Sequence, residues 1–522
     1  MNHNSPLGNL AVAFGYGDMS AGQMPDQVYN VWWNYTTHLS RSFDGLGRLS
    51  SSVINNTLTT NYYYKDVSDT QTTTQLRFLD TPADDFTYTY DSLGNITSIV
   101  TANSEGTFTS TYEYDSLNQL VRENDQRTGK TYTYTYLNGN ITSKTEYAYT
   151  TGELGAVVNT INYGYGDNVW KDLLTSYNGM NITYDNIGNM TSFNGKTYSW
   201  LGRQLQSISG LATYTYNMDG LRTSKTANGV TTNYYYNGST LAGQISSDGT
   251  KLIFLYDENG DIFGLTYQDA NYYYIKNAQN DVIAIANSSG NVIASYTYDA
   301  WGKVLSITGD VAWFGQLNPI RYRSYYYDNE SGYYYLQSRY YNPEIGRFIN
   351  ADGLVSTGQG LLSHNMFAYC ENNPISRFDP SGCFWQEALD WASQKLEEFK
   401  NWLEGEDSDE ENNTLSTSGT RGRGNKNNNN KRKDSRKGSE KRQKSGSRER
   451  NVAHPNGEEH SRVPKGTYHF VEPDPIVGVA IATVCIVYLV SNNVTGVGVA
   501  DDPLLVPATA LFWDSASQLI FT

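Results

Sequence analysis

A short pattern recurs along this chain: two aromatic residues two positions apart, then Asp or Asn, a turn closed by Gly-Asn or an equivalent, and an aliphatic residue. It reads Tyr88-Thr-Tyr90-Asp91-Ser-Leu-Gly94-Asn95-Ile96, and again Tyr112-Glu-Tyr114-Asp115-Ser-Leu-Asn118-Gln119-Leu120. Further copies run through Tyr134 to Ile141, Tyr184 to Met190, Tyr214 to Leu221, Tyr256 to Ile262 and Tyr296 to Val304. Aromatics at a period of two place both rings on one face of a strand. The Asp-x-x-Gly-Asn stretch supplies the positive-φ turn that starts the next strand, so each copy predicts one hairpin. Clear copies follow one another at intervals of roughly 20 residues or twice that, the spacing of an array in which no unit buries its own apolar face and stacking supplies the core.

Composition agrees with strands. With 44 Tyr against 17 Phe, and Thr and Asn throughout, the chain favours pleated, half-polar surfaces over helices packed around an oily core. An ordinary α/β enzyme is disfavoured. Cys370, Cys383 and Cys485 are odd in number and lack metal-ligand spacing, so neither a disulfide framework nor a bound metal or cofactor is expected. Charge is uneven: residues 421–450 hold 13 Lys and Arg against 3 Asp and Glu, a net +10, while the remainder carries −26 within the formal total of −16. An acidic body thus bears one short basic segment.

The repeats lead into Arg339-Tyr340-Tyr341-Asn342-Pro343-Glu344-Ile345-Gly346-Arg347-Phe348-Ile349, then Asn365-Met366-Phe367-Ala368-Tyr369, Asn372-Asn373-Pro374 and Asp379-Pro380-Ser381-Gly382. Over about residues 30–382 the sequence resembles the YD-repeat or RHS family, and this block resembles the RHS-associated core that closes such arrays. The resemblance implies a strip of hairpins spiralling into a shell, as in Tc toxin cocoons and teneurins, with a variable toxin following it in bacteria. It also implies that Asp352 and Asp379 form an aspartic-protease-like pair cutting the chain at Cys383-Phe384. Two adjacent carboxylates suit hydrolysis because they share one proton, leaving one as base and one as acid. Cys383 stands where that family usually has Leu, and Ala351-Asp352-Gly353 lacks its usual Asp-Pro. The residues alone also allow a plain β-turn at Asp379-Pro380-Ser381-Gly382, with Asp352 a loop residue.

After Gly382 the composition changes. Phe384, Trp385, Ala388, Leu389, Ala392, Leu396, Phe399 and Leu403 follow helical spacing, predicting one amphipathic helix over 383–405. Residues 406–450, acidic and then basic, bury too little apolar surface to order themselves and read as a linker. Residues 451–522 form a separate C-terminal module. In it, His454, Glu459 and His460 are candidate nuclease residues beside the basic segment, although Pro455-Asn456-Gly457 between them equally reads as a turn in a solvated loop. The run Ile476 to Val490 carries no charge; it falls short of a full membrane span and reads either as membrane-active or as a buried strand or helix. Arg421 to Arg450 has no interleaved aromatics, so sequence-specific nucleic-acid binding is not expected.

The N-terminus Met1-Asn2-His3-Asn4-Ser5-Pro6 lacks the basic and apolar regions of a signal peptide, which favours the rear part of a longer precursor, secreted or at the cell surface, over a chain that leaves the cell by a signal-independent machine. The expected organisation is a repeat body over 1–338, a closing core over 339–382 and the tail. The expected function is a shell, itself not an enzyme apart from self-cleavage, that encloses or presents a C-terminal effector in interbacterial competition. Its partners would be its own effector module, a cognate immunity protein, and a glycan or membrane. The alternative is a surface adhesion or carbohydrate-binding repeat protein with an inert tail.

Overall fold

The computed structural model describes residues 6–353, apart from 8–10, 18–22, 25–26, 34–35 and 69–70, together with residues 362–382. The chain divides into two compact units, Met1–Ser393 and Gln394–Thr522. All that follows concerns the first; the helix expected over 383–405, the linker and the C-terminal module lie outside the described residues.

The predicted hairpins are present. Among the described residues, strands follow one another strictly in chain order as an antiparallel meander, fifteen in one sheet and fourteen in the next, before a small four-stranded sheet. The repeat at Tyr88 shows the unit. Strand Asp85–Tyr90 pairs with Ile96–Asn103, and the register slips by one residue between Thr89 and Tyr90. Such a bulge sharpens the local twist of the ladder. It recurs at the second aromatic of other copies, at Tyr136, Trp200, Tyr216, Tyr256 and Tyr298.

Between the strands, the Asp91 carboxylate accepts the amides of Leu93 and Asn95 and the Asn95 side-chain amide, at 2.8–2.9 Å. Although desolvation opposes ionisation, these hydrogen bonds hold Asp91 below the usual carboxylate range. Gly94 closes the turn at φ +86°, where a side chain would be strained.

Each residue of the repeat has its own environment. The first aromatic, at Tyr88, Tyr134 and Tyr214, is buried inside. The intervening Thr faces outward and joins a hydroxyl ladder such as Thr215 to Thr223 and Ser224, at 2.7–2.8 Å. The second aromatic reaches back one strand: Tyr114 donates to the Ile96 carbonyl, Tyr136 to Leu120, Tyr165 to Ile141 and Tyr298 to Val282, at 2.6–2.9 Å. The aliphatic residue after the turn, as at Leu120, Ile141 and Met190, is buried.

One hydrophobic core joins Val28 and Leu120 of the first sheet, Tyr214 and Ala284 of the second, and Tyr334, Tyr341 and Tyr369 of the closing segment. That segment contains strands Tyr326–Asp328, Tyr333–Tyr335, Tyr340–Asn342 and Arg347–Phe348. Its asparagines read the turns of successive repeats: Asn373 donates to Asn95, Asn372 to Gln119 and the Gly139 carbonyl, and Asn365 to Asn140, at 2.8–2.9 Å. On the second sheet, Arg222 grips Asp328 through two nitrogens at 2.6 and 3.1 Å. Burial opposes the charge on Asp328, yet Arg222 and Lys225 hold its carboxyl below the ordinary value.

Candidate self-processing site

The closing segment passes three times through one small volume, and each pass contributes a charged or backbone group. Arg339 enters just ahead of strand Tyr340–Asn342. Its guanidinium lies 3.6 Å over the Phe348 ring, a stacking that removes one face from water. Asp352 follows Asn350 and Ala351, which are tied to the Gly188–Asn189 turn by the Ala351 amide on the Gly188 carbonyl, at 3.1 Å, and by a bridge between Asn350 and Asn189. Asp379 comes in last, its amide donating to the Tyr325 hydroxyl at 2.7 Å.

These three side chains meet. A single Arg339 nitrogen, Nη2, lies 2.9 Å from Asp352 Oδ2 and 3.1 Å from Asp379 Oδ2. The carboxylates are therefore within about 6 Å of each other, and both residues are buried, Asp352 at 7% exposure and Asp379 at 4%. Arg339 also donates through Nη1 to the Met366 carbonyl at 3.1 Å and through Nε to the Gly382 carbonyl. The Gly382 amide donates to Asp379 Oδ1 at 2.8 Å. Asp379-Pro380-Ser381-Gly382 is thus a bend closed by the Asp379 side chain, and it is also bound into the acid pair.

Desolvation pushes the Asp379 carboxyl up to about 6; Arg339 pulls the other way, and Asp352 adds to the rise. A buried carboxyl that exchanges its proton near this value serves either as acid or as base close to neutrality. The guanidinium between the carboxylates departs from a simple proton-sharing pair.

The structure therefore brings together Asp352 and Asp379 around one guanidinium. The bond Cys383-Phe384 and the candidates His454, Glu459 and His460 lie outside the described residues, as does the run from Ile476 to Val490. Among the described residues no helix is long and apolar enough to cross a membrane. Sequence reasoning assigned no role to Arg339. Its signal was available: paired carboxylates in a dry site need a counter-charge, and Arg339 heads the same block.

Comparison with known proteins follows the same outline. The family described as Teneurin YD-shell matches residues 69–375. A relative in Bacillus spizizenii named tRNA3(Ser)-specific nuclease WapA is 36% identical over 279 residues, 52% of this chain and 12% of that protein. Toxin protein Tse5 of Pseudomonas aeruginosa is 44% identical over 64 residues, 12% of this chain and 5% of its own length. The chain thus spans only a small part of these relatives. The crystal structure of TcdB2-TccC3 matches with a TM-score of 0.57 at 21% identity, over 72% of this chain and 21% of that one, which shows a shared fold.

Proposed function

The chain belongs to the Teneurin YD-shell family, and from that premise we propose that its body is the closing part of a toxin shell whose cargo is the segment beyond Gly382. The observation that carries this reading is the Asp352–Arg339–Asp379 cluster clasping Gly382, at the boundary between repeat body and tail. Proteins named as a tRNA nuclease and as a toxin share parts of this sequence, which supports a tail used against competing cells.

The site hydrolyses the chain beside the Asp379–Gly382 turn, where the family resemblance put Cys383-Phe384. Asp352, ion-paired with Arg339, takes a proton from water, and Asp379 in its protonated form gives one to the departing amine. The released tail, residues 384–522, acts through His454, Glu459 and His460 as a nuclease or through Ile476 to Val490 on a membrane. A cognate immunity protein guards the producer, and the assembly works outside the cell as part of a longer precursor.

Intact mass of the purified full chain tests release. Two fragments are expected from the wild type and one full-length species from Asp379→Asn; a wild type that stays whole after folding removes self-release. Producing the chain inside a bacterium, with and without residues 383–522, tests the cargo. Growth arrest that depends on the tail is expected. An equally harmless pair would return the protein to the adhesion reading.

A further inference from the structure

A second acidic cluster lies away from the closing block, in a cavity of about 140 Å³ between the two large sheets. Strands from Asp85–Tyr90 to Leu120–Asp125 wall it on one side, Val282–Asn287 and Val292–Tyr298 on the other. Its lining holds five carboxylates, Asp84, Glu123, Asp125, Asp281 and Asp299, against the guanidinium groups of Arg127 and Arg323, a balance that favours a cation. Four of the carboxylates are engaged by the fold itself. Asp84 accepts from the Asn103 amide at 2.7 Å, Asp125 from the Thr128 hydroxyl at 2.7 Å, Asp281 from the Asn277 amide at 2.8 Å, and Asp299 from the backbone of Trp301 and Lys303 at 2.9–3.0 Å. Glu123 differs. It is 4% exposed, and its one hydrogen bond among the described residues comes from the neutral Tyr134 hydroxyl, on Oε2 at 3.1 Å. Oε1 is left to the cavity, and Lys144 lies 3.7 Å from Asp299 instead, over the Tyr132 and Tyr134 rings. A carboxylate oxygen buried without a donor is costly, and a ligand that brings one removes the cost.

We propose that this cavity binds a primary alkylammonium ion, with Glu123 Oε1 accepting from its nitrogen and the rings of Phe86, Tyr112 and Tyr298 enclosing its chain. Aromatic rings beside a carboxylate suit such an ion, because ring faces attract the charge while apolar surface takes the methylenes. A cavity of this size holds a molecule about as large as benzene, so the ligand is a short aliphatic amine or the end of a longer one. Phe108, Asp125 and Arg127 in the lining are half-buried, which brings the cavity to the surface there. The resident guanidinium groups are already held, Arg323 on the Gln279 and Pro374 carbonyls and Arg127 at 4.8 Å over the Phe108 ring. Burial raises the Glu123 carboxyl to about 8; Lys144 opposes the rise, while Asp299 and Asp125 add to it. Asp281 and Arg323 line the cavity from the second sheet and the closing segment, and burial keeps the Tyr112 and Tyr134 phenols neutral. Below pH 8 an arriving ammonium therefore sends the Glu123 proton to solvent, so affinity rises with pH.

Titration calorimetry of the full chain with n-butylammonium chloride tests the site. Saturable binding is expected, with a Kd lower by about tenfold or more at pH 8.5 than at pH 6.5. At pH 8.5, 1-butanol, of the same length but uncharged, should bind weaker by about tenfold or more. Glu123→Gln keeps the shape of the side chain and removes its charge. It should weaken n-butylammonium by about tenfold or more and abolish the pH dependence, with the β circular dichroism unchanged. Nα-acetyl-lysine methylamide separates two sources of the same group: tighter binding than n-butylammonium assigns the cavity to a lysine side chain, weaker binding to a free amine. Absence of binding by both amines at pH 8.5, equal binding of 1-butanol, or a Glu123→Gln chain that binds as the wild type does overturns the proposal.

Discussion

A tyrosine hydroxyl gives this strip something a phenylalanine ring does not. At Tyr136 the ring fills the same half-buried position that any aromatic would, but its hydroxyl also satisfies the Leu120 carbonyl at 2.6 Å. Tyr136→Phe keeps the packing and leaves that acceptor unpaired, so it should cost about 0.5–1.5 kcal/mol, read as a lowered urea midpoint at unchanged slope. Glu123 is a second residue whose surroundings set its behaviour. Burial raises its carboxyl to about 8, offset in part by Lys144 and reinforced by Asp299 and Asp125, while the Tyr134 hydroxyl donates to it at 3.1 Å. Its folded value exceeds the unfolded one, so the folded state holds the extra proton and stability falls as pH rises from about 4.5 to about 8. Glu123→Gln should therefore change little at pH 5 and stabilise by a few kcal/mol above pH 8, measured by denaturation at both values. For Asp379 the same sign governs chemistry: its acid form is lost as pH rises through about 6, so self-cleavage should slow across that range.

At the scale of elements, the hairpin and the closing segment do different work. A hairpin's turn is fixed locally by Asp91 and Gly94, and its strand register by the bulge at Tyr90. Successive hairpins are joined by the strand ladder and by the second tyrosine, and the row of asparagines in the closing segment ties their turns together. Asn372, fully buried, donates at 2.9 Å to Gln119 and at 2.8 Å to the Gly139 carbonyl, bridging neighbouring turns. Asn372→Ala leaves the Gln119 acceptor dry and unpaired and takes from the Gly139 carbonyl one of its two donors, the other being Asn365, with an expected loss of about 1–3 kcal/mol. A double-mutant cycle with Gln119→Ala should return a coupling of about 0.5 kcal/mol or more. Additive costs would show that the closing segment merely covers the turns.

The described unit as a whole holds two large sheets through one core and several buried ionic clasps. Arg222 and Asp328 are exposed by 1% and 0%, and Arg222 also stacks 4.3 Å from the Tyr335 ring. Arg222→Ala leaves the buried Asp328 carboxylate with Lys225 alone to balance it, at 2.8 Å, and removes a packed guanidinium, so it should destabilise by up to about 3–5 kcal/mol. Because the closing segment grips turns of both sheets, that loss should reach the entire unit. The β circular dichroism and the near-ultraviolet tyrosine signal are expected to shift to lower denaturant together; two separated transitions would mean that the sheets unfold independently.

The sequence by itself determined the hairpin. Period-two aromatics, an Asp that caps its own turn and a Gly able to take positive φ are local facts, readable within nine residues such as Tyr88 to Ile96. Locality also explains why the buried aliphatic positions, as at Leu120 and Ile141, were legible. The candidate site was legible only through resemblance, which named Asp352 and Asp379 but passed over Arg339. Only the tertiary structure decided that these three meet, that Asn365, Asn372 and Asn373 address turns more than two hundred residues earlier, and that Gly382 is held by both amide and carbonyl. The physical reason is range: a turn is closed by groups four residues apart, whereas a buried charge is satisfied by whatever partner the whole packed chain brings within about 3 Å.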